Sequence, residues 1–135
     1  MTKERDDLRK IFFESWRKYK NTFPLEPLEA KIIDIILLHP EYHALLDNPD
    51  HFQQYDFDEG NPFLHLSLHL ALHEQITTNR PKGIKAIYST LYKKFNDKQK
   101  AEHAMMDCLA QILWNAQETG GMPDENTYLM HLKKL

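Results

Sequence analysis

Three histidines recur at a four-residue spacing near the middle of the chain: His65, His69 and His73. Side chains four residues apart lie one turn apart on the same face of an α-helix, and two imidazoles so placed are a usual pair of ligands for one metal ion. Histidine is also abundant, with eight among 135 residues. The residue types and their spacing therefore indicate imidazole chemistry, and a transition metal is the first ligand to consider.

The run that carries these histidines alternates apolar and polar residues, which is typical of a half-buried strand. The Asn-Pro pair before it is instead a typical helix start, and the run contains no β-branched residue. At about 100° per residue, His65 and His69 fall between two leucine stripes in the middle of the apolar arc, and His73 falls at its edge. We therefore predict a helix that directs His65 and His69 inward and leaves His73 more exposed to solvent.

Two other segments also direct ionisable side chains at the interior. Glu102 falls near the middle of the apolar arc of its segment, and Glu29 and His39 lie on the apolar side of another. A buried carboxylate needs a cation, a metal ion or strong hydrogen-bond donors. We therefore predict that Glu102 lies in one cluster with His65 and His69.

A metal-site hypothesis follows, with His65 and His69 as the primary ligands. The further candidates are His103, Glu102 and His43. Imidazole and carboxylate ligands on facing helices suit zinc, iron or manganese, and the ion would activate a bound water or oxygen. The Glu-x-x-His signature of di-iron bundles and the His-Glu-x-x-His signature of zinc peptidases are absent from the sequence. The sequence therefore names neither a reaction nor a substrate, and whether the protein is an enzyme stays open.

Two other interpretations of the same residues stay open. In one, the histidines and Glu102 form a buried polar network without metal, which specifies the packing of a non-enzymatic binding or adaptor protein. In the other, the histidines face a cleft or a partner. Neither a protein partner nor a homo-oligomer can be derived from the sequence.

Composition predicts the fold class, because the chain has no valine but 18 leucines and 13 lysines. Strands favour β-branched residues, whereas leucine and lysine lose little on entering a helix. We predict one all-α domain over residues 1–135, a bundle of about five main helices plus short segments. Its most buried helix is expected to run from Asn61 to Thr78. The other predicted helices are Lys3–Tyr19, Glu26–Leu38, Glu41–Leu46, Pro81–Phe95, Lys98–Glu118 and one that begins at Pro123 and Asp124.

Charge and hydropathy exclude several classes of partner. The formal net charge is −3, which leaves no electrostatic footprint for nucleic acid, and no apolar run is long enough to span a bilayer. One cysteine, Cys108, cannot form an internal disulfide, so a reducing cytoplasm is the expected location. The segment from Asp47 to Gly60 is predicted to be a loop, and connections of that length are often functional.

Five motifs in order along the chain resemble a bacterial family described as domain of unknown function 1841. They are His39-Pro40-Glu41-Tyr42-His43, Asn61-Pro62-Phe63-Leu64-His65 with His69, Arg80-Pro81-Lys82-Gly83-Ile84, Ala101-Glu102-His103 and Pro123-Asp124-Glu125. The resemblance covers nearly the whole chain and implies a small soluble bacterial protein, but it carries no activity. It does fall on the same histidines and on the same carboxylate that the helical periodicity selects.

Overall fold

Helices account for nearly all of the regular structure in the computed structural model, which describes residues 2–48 and 62–135. The described residues contain no strand and one 3₁₀ turn, Pro40–Tyr42. Their α-helices are α1 (Thr2–Lys20), α2 (Pro27–Leu37), α3 (His43–Asp47), α4 (Pro62–Thr78), α5 (Ile84–Phe95), α6 (Lys98–Thr119) and α7 (Glu125–Lys133). The predicted all-α helical class is confirmed.

The chain divides into two compact units, Met1–Leu66 and Ser67–Leu135. The first contains α1, α2, α3 and the first turn of α4, and the second contains the rest of α4 with α5, α6 and α7. The single-domain organisation stays a prediction. Apart from Asp47, which ends α3, and Asn48, the predicted loop from Asp47 to Gly60 lies outside the described residues, as does His51. Within the described part of the chain, no helix has the length and apolar character that crossing a membrane requires.

The first unit is built on the packing of α1 against α2. Its buried apolar side chains are Phe12, Trp16, Ile32, Ile33, Ile35, Ile36, Leu45, Leu46, Phe63 and Leu66. Trp16 also donates a hydrogen bond from Nε1 to Asp47 Oδ1 at 2.7 Å, which connects α1 to the end of α3. The helix α2 buries five of its 11 residues, whereas α4 buries five of 17. The prediction that the helix from Asn61 to Thr78 is the most buried is therefore wrong.

The second unit has its own core between α4, α5, α6 and α7. Its buried members are Leu72, Ile84, Leu91, Ala101, Met105, Met106, Leu109, Ile112, Tyr128 and Leu132. Burying a side chain of the leucine or isoleucine size contributes about 1.5–3 kcal/mol, so these residues supply the main force that holds the four helices together. The helices α4, which carries His69 and His73, and α6, which carries Glu102 and His103, both contribute to this core.

Helix starts and ends follow local chemistry that the sequence pattern resolves only in part. Asp97 caps α6, because its side chain accepts the backbone N–H of Lys100. The helix α5 begins at Ile84 and not at Pro81, because Gly83 has φ +102°, a left-handed conformation that cannot continue into a helix before it. Asn79 Oδ1 accepts the N–H groups of Gly83 and Lys85 at this start.

Two predicted apolar arcs are wider than the surfaces that are buried. Leu64 is 56% exposed and Leu113 is 43% exposed, although both lie on predicted apolar arcs. A wheel describes one helix and cannot show how much of its arc a neighbouring helix covers. The arc therefore predicts which side of a helix faces the core, but not how wide the buried surface is.

Glu29 is a buried carboxylate of α2 whose two oxygens both have donors. Lys18 Nζ donates to Oε2 at 2.8 Å, and the backbone N–H of Glu26 donates to Oε1 at 2.9 Å as part of a capping box. The hydrogen bond from Lys18, followed by the one from Glu26, lowers the pKa of Glu29 in spite of desolvation. The interior Glu29 predicted from the sequence thus has a cation and a backbone donor as its partners.

Replacing Glu29 by Gln should lower the midpoint of thermal unfolding at neutral pH, because the bond from Lys18 loses its charge. The folded pKa lies below the unfolded value of about 4.3. The contribution of the carboxylate is therefore complete above that value and is lost as the pH falls through the folded pKa. Thermal melts followed by circular dichroism should show a difference between wild type and Glu29→Gln that shrinks toward zero in acid.

Two variants control this measurement. Lys18→Met should reproduce the loss at neutral pH, and Glu41→Gln, at an exposed position, should leave the midpoint unchanged. A difference for Glu29→Gln that persists undiminished in acid would contradict the role given to the charge of Glu29.

Candidate metal centre

Glu102 is the most deeply buried carboxylate that the structure describes. It lies in the second turn of α6, beside the core residues Ala101, Met105 and Met106, and is 1% exposed. The helical period places it there, because positions 101, 102, 105 and 106 share one face of a helix. The interior position predicted for Glu102 is therefore present in the structure.

The two carboxylate oxygens of Glu102 differ in their hydrogen-bond partners. Oε1 accepts a short hydrogen bond from Nε2 of His73, which α4 contributes. Oε2 is buried and has no hydrogen-bond partner among the described residues. A buried polar atom without a partner costs about 1–3 kcal/mol, and more when it carries charge. The site therefore contains an oxygen ligand atom that the described protein groups leave unsatisfied.

His69 lies one turn before His73 on α4 and is fully buried, at 0% exposed. Its Nε2 is 3.1 Å from Nε2 of His103, the neighbour of Glu102 on α6. The two rings are almost perpendicular, at 87°, with centroids 5.1 Å apart. Two ring nitrogens that face each other at this distance either share one proton or bind the same cation.

The separation of these nitrogens is close to that of two ligands on one ion. Imidazole nitrogen binds zinc at 2.0–2.1 Å, so two ligands of a tetrahedral ion lie about 3.3 Å apart. The ligand atoms of His69, His73 and Glu102 lie within 4.8 Å of one another. This group, with His103 beside it, offers imidazole nitrogens and a carboxylate oxygen, a donor set that suits zinc, iron or manganese.

Two of the sequence-predicted ligands, His65 and His43, belong to the first unit. His65 Nε2 lies 3.0 Å from Nε2 of His39, so within this unit the structure brings His65 together with another histidine. His43 Nε2 instead donates to the backbone carbonyl of Ile36 at 2.9 Å, and its ring lies against Trp16 with centroids 4.6 Å apart. Among the described residues, His43 belongs to no group of close ligand atoms.

Two side chains of the second unit, the phenol of Tyr88 and the thiol of Cys108, have raised pKa values. Burial, followed by the negative charge of Glu102, raises the pKa of Tyr88 to about 12. Burial, followed by the charge of Asp107, also raises the pKa of Cys108. Among the described residues, Cys108 is not part of the group of close ligand atoms, so that group offers only nitrogen and oxygen atoms.

His73 is a residue of this site that was not predicted from the sequence as a metal ligand. The four-residue spacing that selected His65 and His69 applies equally to His73, but the wheel placed His73 at the edge of the arc. Its side chain is 30% exposed, and it contacts Glu102 because α6 approaches α4 on that side. The electrostatic interaction of Tyr88 with Glu102 could not be predicted either, because the two residues lie on different helices.

The family model described as domain of unknown function, DUF1841, matches residues 4–134, which is nearly the whole chain. Among curated proteins and among solved structures, none matches the chain.

Replacing Glu102 by Met should stabilise the metal-free protein. The substitution removes a buried carboxylate with an unsatisfied oxygen, and His73 keeps access to water through its exposed fraction. Replacing a whole buried ion pair by apolar groups is often neutral or stabilising. Because the partner left behind, His73, is not itself buried, we expect a gain of about 1 kcal/mol. Chemical denaturation in the presence of EDTA measures it.

Asp107→Asn, an exposed position on the same helix, is the control and should change the free energy of unfolding little. If Glu102→Met lowers the stability of the metal-free protein, the hydrogen bond from His73 outweighs the cost of burying the carboxylate.

Proposed function

As the chain belongs to the DUF1841 family, whose description names no activity, we propose its function from the site: it binds a divalent transition metal ion. The proposed ligands come from α4 and α6. They are His69, His73 and Glu102, whose ligand atoms lie within 4.8 Å of one another, and His103 is a further candidate because it faces His69. The metals that suit this donor set are zinc, iron and manganese. The proposal places the protein in a reducing cytoplasm, because its one cysteine has no internal partner for a disulfide.

The observation that carries the proposal is the state of Glu102. Its carboxylate is 1% exposed, and Oε2 has no hydrogen-bond partner among the described residues. A cation beside this oxygen would replace the hydration that burial removes. Imidazole nitrogens from both helices are the groups that lie around it, and they bind the same class of ion.

The helices also provide the rigidity that a metal site requires. His69 and His73 lie on successive turns of α4. Glu102 and His103 are consecutive residues of α6, whose N-terminus is capped by Asp97. Both helices are fixed by the shared core of the second unit. Ligands on packed helices are held more precisely than ligands on loops.

A bound ion would supply Lewis acidity or an activated water or oxygen at this site. A molecule from solvent would reach the ion on the side of His73, because 30% of the His73 side chain is exposed. His69 and Glu102 are closed to solvent. Burial and the charge of Glu102 raise the pKa of Tyr88, so its phenol stays protonated at neutral pH and is a weak proton donor.

The test is a metal analysis of protein purified without a histidine tag or chelating resin. Wild-type protein, reconstituted with zinc, iron(II) or manganese and then dialysed, should retain about one equivalent of one of these ions bound by α4 and α6. Glu102→Gln keeps the shape of the side chain but removes its charge. We expect it to weaken binding by on the order of 100-fold or more, by analogy with the effect of removing groups that support a metal site.

A stability measurement gives a second readout. A chelator should lower the unfolding midpoint of the wild type, because a ligand at about 1,000 times its dissociation constant stabilises by about 4 kcal/mol. Glu102→Gln should show a much smaller shift. The matched control is His131→Gln, a histidine of α7 in the same unit that is outside the ligand group, and it should behave as the wild type does.

Two results would overturn the proposal. One is a wild-type protein that retains none of the three metals after reconstitution. The other is a metal content that Glu102→Gln leaves unchanged. In the first case, the interpretation as a binding or adaptor protein with a buried polar network would stand in its place.

A further inference from the structure

His39 is held in a fixed tautomer in the first unit. It follows α2 and precedes Pro40, and it is 3% exposed. Its Nδ1 lies 2.8 Å from the carbonyl oxygen of Ile35, and because a carbonyl only accepts, Nδ1 must carry the proton. In the neutral ring, Nε2 then presents its lone pair. Histidines that bind metals commonly have this support, with the other ring N–H donated to a backbone carbonyl.

His65 completes a pair with this nitrogen. Its Nε2 lies 3.0 Å from Nε2 of His39, and the rings are nearly perpendicular, at 76°, with centroids 4.8 Å apart. Without a metal, His65 donates its Nε2 proton to the lone pair of His39. The same two nitrogens would be available to one ion, since 3.0 Å lies between the separations of about 3.3 Å and about 2.9 Å of adjacent ligands in tetrahedral and octahedral geometry.

Tyr42 fixes both rings. It stacks on His39 at 5.6 Å with an interplanar angle of 9°, and its ring meets His65 at 6.2 Å and 69°. Together with the hydrogen bond to Ile35, these contacts define the positions of both imidazoles before any ligand binds. Preorganisation of this kind lowers the entropy that binding has to overcome.

From this geometry we infer that the first unit carries a metal-binding site of its own, formed by His39 and His65. Two imidazole nitrogens, the ligand atoms that the described part of the first unit supplies here, favour a late first-row divalent cation, copper(II) or zinc, over manganese or magnesium. Water or another small ligand completes the coordination. The inference does not rest on the proposed function, because the two sites share no residue.

The experiment counts zinc ions per chain by equilibrium dialysis and elemental analysis. With saturating zinc, the wild type should bind two ions, and His39→Gln and Glu102→Gln should bind one each. The matched control is His43→Gln, a histidine of the same unit whose Nε2 is bonded to a backbone carbonyl, and it should bind two. Circular dichroism verifies that each variant is folded.

His65→Gln is the second variant, for the case that His39→Gln fails to fold, and it should also bind one ion. Electron paramagnetic resonance with copper(II) gives a readout independent of counting. In Glu102→Gln, the remaining copper should show coupling to two imidazole nitrogens, and the coupling should disappear when His39 is also replaced.

The outcomes distinguish the two proposals. If His39→Gln and His65→Gln each bind as many ions as the wild type, the site in the first unit is refuted while the site at Glu102 stands. If the wild type binds one ion and loses it only in the His39 and His65 variants, the proposed function fails and this inference stands. If the wild type binds one ion that both Glu102→Gln and His39→Gln lose, or binds none, the inference of a separate site is overturned.

Discussion

The burial of the Glu102 carboxylate is the constraint on which the chemistry of the second unit depends. Taking an ionised group out of water costs several kcal/mol unless other groups replace its hydration. Around Glu102, the replacement comes from His73 on α4, while Tyr88 on α5 experiences the remaining charge. Among the described residues, one hydrogen bond from α4 is therefore the replacement for the hydration of this side chain.

Glu29 and Glu102 show two solutions to the same problem. Glu29 has a lysine ammonium on one oxygen and a backbone N–H on the other, and its pKa is lowered as a result. Glu102 has a histidine on one oxygen and no hydrogen-bond partner for the other among the described residues. Both oxygens of Glu29 thus have partners within the fold, and its burial needs no ligand. The same is not true of Glu102, and this difference is the reason to look for a ligand there.

The helical period was sufficient to predict much of this. The Asn-Pro start and the lack of β-branched residues predicted that α4 is a helix despite its alternating pattern. The helical period then placed His69, Glu102 and Glu29 on interior faces, because each of these predictions depends on residues within one helix. Partners on other elements are a different matter. The contact of His73 with Glu102 and that of His65 with His39 depend on how elements pack, and the bond of His43 to the carbonyl of Ile36 depends on a local turn. The start of α5 depends on the conformation of Gly83, which composition does not specify.

The alternating run in α4 also has a consequence for how the chain folds. A period of two is the pattern that strands present to a neighbour, and here it has to be overridden by the packing of a helix. Local pattern and final conformation therefore disagree over ten consecutive residues, a form of frustration that most natural sequences avoid. While α4 is unfolded, the segment has an alternative pairing mode with a second chain, in which its leucines would share one face and its histidines the other. The pattern thus gives the unfolded chain a strand-like alternative to the helix, and the histidines that complete the alternation are the same residues that give the folded protein its candidate ligands.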